Sequence, residues 1–350
     1  MRRRLWVLLL AAAVLPALSH PPRLRIEVFG LLKPTELWVE PAPGEVLVVS
    51  VGGETMVLEA PQRARLRWAD GRVECSVRGR VISAKVVRAS ARTGGAGEVV
   101  LTVPQKIERR FYGQLEVTAR GESLRIVVAM NPEVAVASAV AAESPPGAPL
   151  EALKAQAVVT RSFYAAARGR HQGFDFCDTT HCQYLRQPPE AGSPAAVATE
   201  ETRGLVLRYR GETLPALFSA SCGGRTRTLA EVRMQADGYP YYSVQCPYCR
   251  QHAPQWQVRL DARAVAQLLA AEGSESARLE VGRRLGWQTV PGNNYQASRE
   301  GDTVVLRGRG RGHGVGLCQE GAAALAAAGA DFREILRYFY PNTTLSSTDR

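Results

Sequence analysis

The sequence predicts an α+β chain in which a β-rich first part precedes a mixed α/β second part. Three observations carry this reading. Short runs of alternating apolar and polar residues, punctuated by glycine turns, fill residues 24–128. At Asn131-Pro132 the pattern switches to helical spacing in alanine- and valine-rich segments. Further on, strand-like and helical runs alternate with loops rich in cysteine and glycine.

In chain order, Met1-Arg2-Arg3-Arg4, an apolar run over 5–15 and Ala17-Leu18-Ser19 read as a secretory signal peptide over residues 1–19. The run is short for a membrane span; an uncleaved N-terminal anchor is the alternative. Either way the body is expected to be exported, periplasmic or cell-wall associated. Formal net charge is +11 over 350 residues, and removing the three arginines of the leader leaves 11 − 3 = +8. A basic exported chain suits an anionic polymer such as cell-wall material, and nucleic acid is a poor partner for it. A genomic preference for arginine over lysine would produce the same charge.

Residues 20–125 form the expected β-rich module. Leu24, Ile26 and Val28 alternate with polar residues, and similar runs follow at 45–51, 55–58, 80–87 and 98–103. Gly52-Gly53, Asp70-Gly71 and Gly94-Gly95 supply turns. A sandwich or an open barrel fits. Titratable residues do not gather there and Cys75 is the module's one cysteine, so it reads as a scaffold or a wall-binding element.

Residues 126–345 form the second part. Asn131 is placed to cap a helix that starts at Pro132 and stops near Ser144, because Pro145 and Pro146 follow. Pro149 opens another helix, with Leu150, Leu153, Ala157 and Val158 as its buried stripe and Gly169 placed to close it. Strands are expected at 204–209, 214–219 and 303–306, and a helix over 317–328. Asp331 and Glu334 form a capping box for a last helix that ends before Pro341.

Glu143 falls at the C-terminal end of the first helix. Helix carbonyls disfavour a negative charge there by about 0.3–1 kcal/mol, and burial against the Ala/Val helices would also raise its pKa. A carboxyl group that keeps its proton near neutral pH is what glycosidic cleavage needs, because the leaving oxygen must be protonated. The plain alternative is a surface glutamate that merely ends a helix. Glu151, in the first turn of its helix, is better suited to remain an anion. Gln156 and Arg161 follow about one and a half turns apart and are candidate substrate-binding residues; Arg161 is a sugar or carboxylate ligand or a structural anchor.

His171, Cys177, His181 and Cys182 crowd one loop, and two imidazoles with two thiolates meet the tetrahedral preference of zinc. A Cys177–Cys182 disulfide is the alternative. Seven cysteines is an odd number, and Cys222, Cys246, Cys249 and His252 make a second possible quartet, for which disulfide pairing of Cys222 is the preferred reading. The glycine alternation from Gly308 to Gly316 lacks the βαβ setting and lysine of a nucleotide loop. It strips side chains so that backbone or ligand can approach, and the next helix N-terminus offers amides. His313 and Gln319 are candidates to line a cleft.

Three of these segments, in order, resemble the SpoIID/LytB family over residues 112–345. They are Ala142-Glu143-Ser144-Pro145 with Leu150-Glu151-Ala152-Leu153-Lys154-Ala155-Gln156-Ala157; Cys177-Asp178-Thr179-Thr180-His181-Cys182-Gln183-Tyr184; and Gly310-Arg311-Gly312-His313-Gly314-Val315-Gly316-Leu317-Cys318-Gln319. Ser144 stands where the family usually has methionine and Cys318 where it usually has serine. The resemblance implies a SpoIID-like catalytic domain over residues 126–345, with Glu143 as catalytic acid/base and a structural zinc held by His171, Cys177, His181 and Cys182. It also implies a peptidoglycan lytic transglycosylase acting on glycan strands. Two alternatives are a non-catalytic enhancer that partners a wall amidase and a zinc-dependent hydrolase using the His171 region.

Overall fold

The computed structural model describes residues 23–92, 97–236 and 238–348. The leader expected at 1–19 and the turn expected at Gly94-Gly95 lie outside them. Among the described residues no helix is long and apolar enough to cross a membrane.

The first part is a two-sheet sandwich, and the chain as a whole is α+β. One sheet orders its strands Phe176–Cys177, Leu24–Val28, Ser123–Met130, Gln114–Arg120, Val86–Ala91, Val46–Val51 and Glu54–Glu59. The other orders Ile107–Tyr112, Glu98–Val103, Glu36–Pro41, Ala64–Ala69, Arg72–Val77 and Arg80–Ala84. Burial alternates along Val46–Val51 and Arg72–Val77, so each sheet turns one face inward. The run expected at 80–87 is two strands in different sheets, broken at Lys85. Left-handed Asp70 and Gly71 (φ 46° and 73°) make the tight turn between Ala64–Ala69 and Arg72–Val77.

The sandwich continues into helices. Asn131 accepts a hydrogen bond from the Glu133 amide at 2.8 Å and starts α1 (Pro132–Glu143); Ser144 is extended and ends it. α2 (Leu150–Ala166) follows, then α3 (Pro194–Glu201). α2 ends at Ala167, so Gly169 lies beyond the cap instead of closing the helix. Leu153, Ala157, Phe163 and Tyr164 of α2 join the sandwich core; Ala152, Ala155, Val158 and Val159 join a second core. A helix apolar all round is buried all round.

That second core gathers Leu207, Val315 and Leu317 with the last two helices, once α4 (Pro247–His252), α5 (Ala266–Ala270) and α6 (Glu275–Leu285) have intervened. α7 spans Gln319–Ala327 and α8 spans Phe332–Phe339, the latter with the expected Asp331–Glu334 capping box. A third, smaller core lies under a three-stranded antiparallel sheet, Gln255–Asp261, Thr303–Arg309 and Tyr295–Glu300, and is filled by Val265, Leu268, Val281 and Leu306. Of the strand expected over 214–219 only Phe218–Ser219 forms, paired in parallel with Leu317–Cys318.

Candidate active site

Glu143 is the last residue of α1, half-buried, with its carboxylate turned into the protein. Its Oε1 accepts the Tyr184 amide at 2.6 Å and its backbone carbonyl accepts Gln319 Nε2 at 3.0 Å. Burial pushes its carboxyl pKa up to about 7, against the opposing pull of the Tyr184 amide. Of the two causes expected from sequence, burial is the dominant one, and the helix-end carbonyls of Val140 and Glu143 each have a partner.

The carboxylate opens on a cavity of about 310 Å³ that His313, Gln319, Glu275, Trp287 and Arg311 also line. Thr180, Trp287 and Gln288 line both this cavity and a neighbouring one of about 420 Å³, so the hollow continues past the indole. Two buried polar atoms on the first cavity's wall, Ser219 Oγ and Gln183 Oε1, have no hydrogen-bond partner in the protein. Buried polar atoms normally find one, so these two suit a hydroxyl-rich ligand.

Two groups opposite Glu143 were not anticipated from the sequence as a pair. His313 accepts the Val315 amide through Nδ1 at 3.0 Å, so it both braces the glycine loop and faces the cavity. Burial pushes its pKa below the ordinary imidazole value, although the nearby Glu275 carboxylate pulls it up. Glu275 itself is buried, which alone would raise its pKa. A two-point fork from Arg278 at 2.7 Å each, with Asn293 Nδ2 at 2.9 Å, instead holds it below the ordinary carboxylate range. Ser274 as the N-cap of α6 places both Glu275 and Arg278 on the first turn, the one signal that could have marked them. Trp287 likewise went unnoticed.

Beside Glu143 the loop carrying His171, Cys177, His181 and Cys182 brings four ligand atoms within 4.8 Å of one another. His171 Nε2 lies 3.2 Å from Cys182 Sγ; His181 Nδ1 lies 3.8 Å from Cys177 Sγ and 3.6 Å from Cys182 Sγ. The donor set fits a tetrahedral cation and leaves no open position. Both sulfurs are free, which overturns the Cys177–Cys182 disulfide alternative. The loop is tied down independently: Phe176–Cys177 adds a parallel edge to Leu24–Val28, and Asp178, buried, accepts the Phe29 amide at 3.1 Å. Tyr184, two residues past Cys182, is the residue that reaches Glu143.

Other sequence expectations are corrected. Gln156 and Arg161 do not line the cavity. Arg161 is 3% exposed and forks onto Glu133 at 2.7 Å twice, with the carbonyls of Leu205 and Thr199 at 3.1 and 3.2 Å, so it anchors α2 to α1 and α3. Gln156 is buried behind the Ser144 turn, bonding Thr160 at 3.5 Å. His252 is exposed on Tyr248 and takes no part in the second quartet; Cys318 does, and none of the seven cysteines is in a disulfide. The α7 amides are not free, since Cys318 Sγ takes Gly321 N and the Ala220 carbonyl takes Glu320 N. The glycine loop serves close backbone packing: Gly316 has φ 73°, and a Cβ there would fall 2.0 Å from the Leu217 carbonyl.

The fold and site together are a β-sandwich fused to a helical unit, with a buried carboxyl group and a histidine loop lining one cavity. The model for the family described as Stage II sporulation protein matches residues 120–209, which contain Glu143 and the His/Cys loop. An uncharacterised protein of Brachyspira hyodysenteriae is 27% identical over 69% of this chain and 73% of its own length. Stage II sporulation protein D of Bacillus subtilis is 26% identical over 61% and 74%, and the amidase enhancer of Bacillus subtilis is 23% identical over 59% and 39%. Over these residues the chain is similar to the SpoIID/LytB family.

Proposed function

We propose that this protein is a peptidoglycan lytic transglycosylase in which Glu143 serves as both acid and base. A cell-wall-related role is the coarser statement that this similarity supports. The observation that carries the finer one is a carboxyl group with its pKa raised to about 7, no cation beside it, opening on a cavity with unpartnered polar atoms.

Protonated Glu143 gives its proton to the oxygen that joins MurNAc C1 to the next GlcNAc, and the C1–O bond breaks. The MurNAc 6-hydroxyl oxygen bonds to C1, and its proton passes to the Glu143 carboxylate, which restores the acid. The products are a 1,6-anhydroMurNAc end and a new GlcNAc hydroxyl, with no water consumed. One carboxyl group suffices because the nucleophile is tethered within the substrate. Tyr184 N–H fixes the carboxylate and Gln319 fixes the backbone that carries it. Trp287 offers a flat apolar face for a sugar ring, and Ser219 and Gln183 offer hydrogen bonds to hydroxyls.

His171, Cys177, His181 and Cys182 would hold zinc, which when bound supplies a fixed cross-link and no reactive position. The chain's own part is to carry the Tyr184 amide to Glu143 from that loop. Its exported location follows from the substrate.

Purified glycan strands incubated with the protein and analysed by mass spectrometry are expected to gain anhydro ends, and Glu143→Gln is expected to remove them. Unchanged product from Glu143→Gln sinks the assignment. The likeness to an amidase enhancer favours a second reading, a wall-binding partner of an amidase. It predicts glycan binding with no new ends and amidase stimulation that survives Glu143→Gln.

A further inference from the structure

We propose that Cys222, Cys246, Cys249 and Cys318 form a second metal centre, a closed four-thiolate site for zinc. All four are at most 1% exposed, none is in a disulfide, and their Sγ atoms all lie within 4.8 Å of one another. A tetrahedral zinc with sulfurs at about 2.3 Å sets them about 3.8 Å apart; the Cys249–Cys318 separation is 3.4 Å. Two disulfides would sort the sulfurs into two pairs, whereas here each sulfur is near the other three.

The backbone builds the site from three segments. Cys246 is the N-cap of α4 and Cys249 lies in its first turn, so the Cys-x-x-Cys spacing turns both sulfurs to one side. The parallel pairing of Ser219 with Cys318 brings the other two segments together. The amides of Cys222 and Gly321 both donate to Cys318 Sγ, at 3.3 and 3.4 Å. Amides aimed at one buried sulfur favour a thiolate and are the outer partners that metal-bound cysteines use. The space is tight: a Cβ on Gly321 would fall 2.7 Å from Cys246 Sγ.

All-sulfur tetrahedral coordination selects zinc among closed structural sites and leaves no position for water. The role is positional. Cys318 immediately precedes Gln319, whose amide holds the Glu143 carbonyl at 3.0 Å. The glutamate turn is thereby braced through Gln319, a contact separate from the Tyr184 amide beside the His171 loop. This inference does not depend on the reaction proposed for Glu143.

Cys182→Ser removes one ligand of the His171 site and leaves the four-cysteine site whole. The purified variant is expected to retain stoichiometric zinc, with a single all-sulfur shell at about 2.3 Å by X-ray absorption, and adding Cys246→Ser should remove that zinc. In the unsubstituted protein, alkylation mapped by mass spectrometry should leave all four thiols protected until a chelator is added, and then label each one. A disulfide-linked peptide joining any two of the four overturns the proposal, as does equal labelling with and without chelator. Absence of zinc from folded Cys182→Ser protein overturns it too, and iron in the sulfur shell overturns zinc as the metal.

Discussion

The two walls of the cavity each carry a buried carboxyl group, and their surroundings treat them in opposite ways. Glu143 has one amide for company and no cation, so burial lifts its pKa to about 7. Glu275 is the more deeply buried residue but has the Arg278 fork and Asn293, and it remains an anion below the ordinary range. Unequal partners, and not the depth of burial, give a proton reservoir at one and a fixed negative charge at the other. Neighbouring carboxyl groups driven apart in this way commonly divide acid and electrostatic roles. Glu275 also lies near the His313 imidazole and pulls its pKa up against burial.

The largest effect separates the walls by activity. Glu143→Gln is expected to lower anhydro-end formation by about 10²–10⁴-fold, with the fold intact by circular dichroism. Glu275→Gln should retain far more turnover per folded molecule; equal losses would break the division of roles. Its main cost should be stability, about 3–5 kcal/mol in urea unfolding at neutral pH, because Arg278 is left buried without its counter-charge.

Dependence on pH sharpens the contrast. kcat/KM is expected to fall about tenfold per pH unit above roughly 7, as free Glu143 loses its proton. Stability should follow the same group. Because the folded pKa of Glu143 is raised, its contribution is fully present below the ordinary carboxyl value and is lost as pH rises through about 7. Glu143→Gln should therefore unfold at higher urea than the parent at pH 8, by about 1–3 kcal/mol, with the gap closing below pH 4.5. Glu275 runs the other way: its folded pKa is lowered, so its contribution is present above the ordinary range and fades as pH falls through the lowered value. A Glu143→Gln gap that does not change with pH would refute the burial account. The smallest expected change is Gln319→Leu, about 0.5–1.5 kcal/mol for one hydrogen bond. It should appear in kcat more than in KM, because Gln319 steadies the turn that carries Glu143.

The legible parts of this molecule are those encoded within a few residues. Asn131-Pro132 starting α1, Pro145-Pro146 ending it, the Asp331–Glu334 box and the His171–Cys182 loop each needed only local spacing, and each forms as the spacing implied. The sequence suggests one apolar stripe on α2, whereas two cores bury it on all sides, so Gln156 is internal and the structural anchor is the role of Arg161 that forms. Polar residues on such a helix become internal anchors, as the Arg161–Glu133 fork illustrates. The quartet that the sequence offers takes His252, close to Cys249 in the chain, whereas the parallel pairing of Ser219 with Cys318 brings Cys318 into the group instead.

By itself, then, the sequence determined where α1 and α8 begin and stop, that a carboxyl group ends the first of them, and which loop concentrates imidazole and thiol. Tertiary structure alone decided that this carboxyl group is desolvated without a cation, that Glu275 and Trp287 face it, and that four distant cysteines share one point. The physical reason is range. Caps, prolines and hydrophobic period act through a turn or two of backbone, while desolvation and convergence of side chains depend on which segments the cores press together.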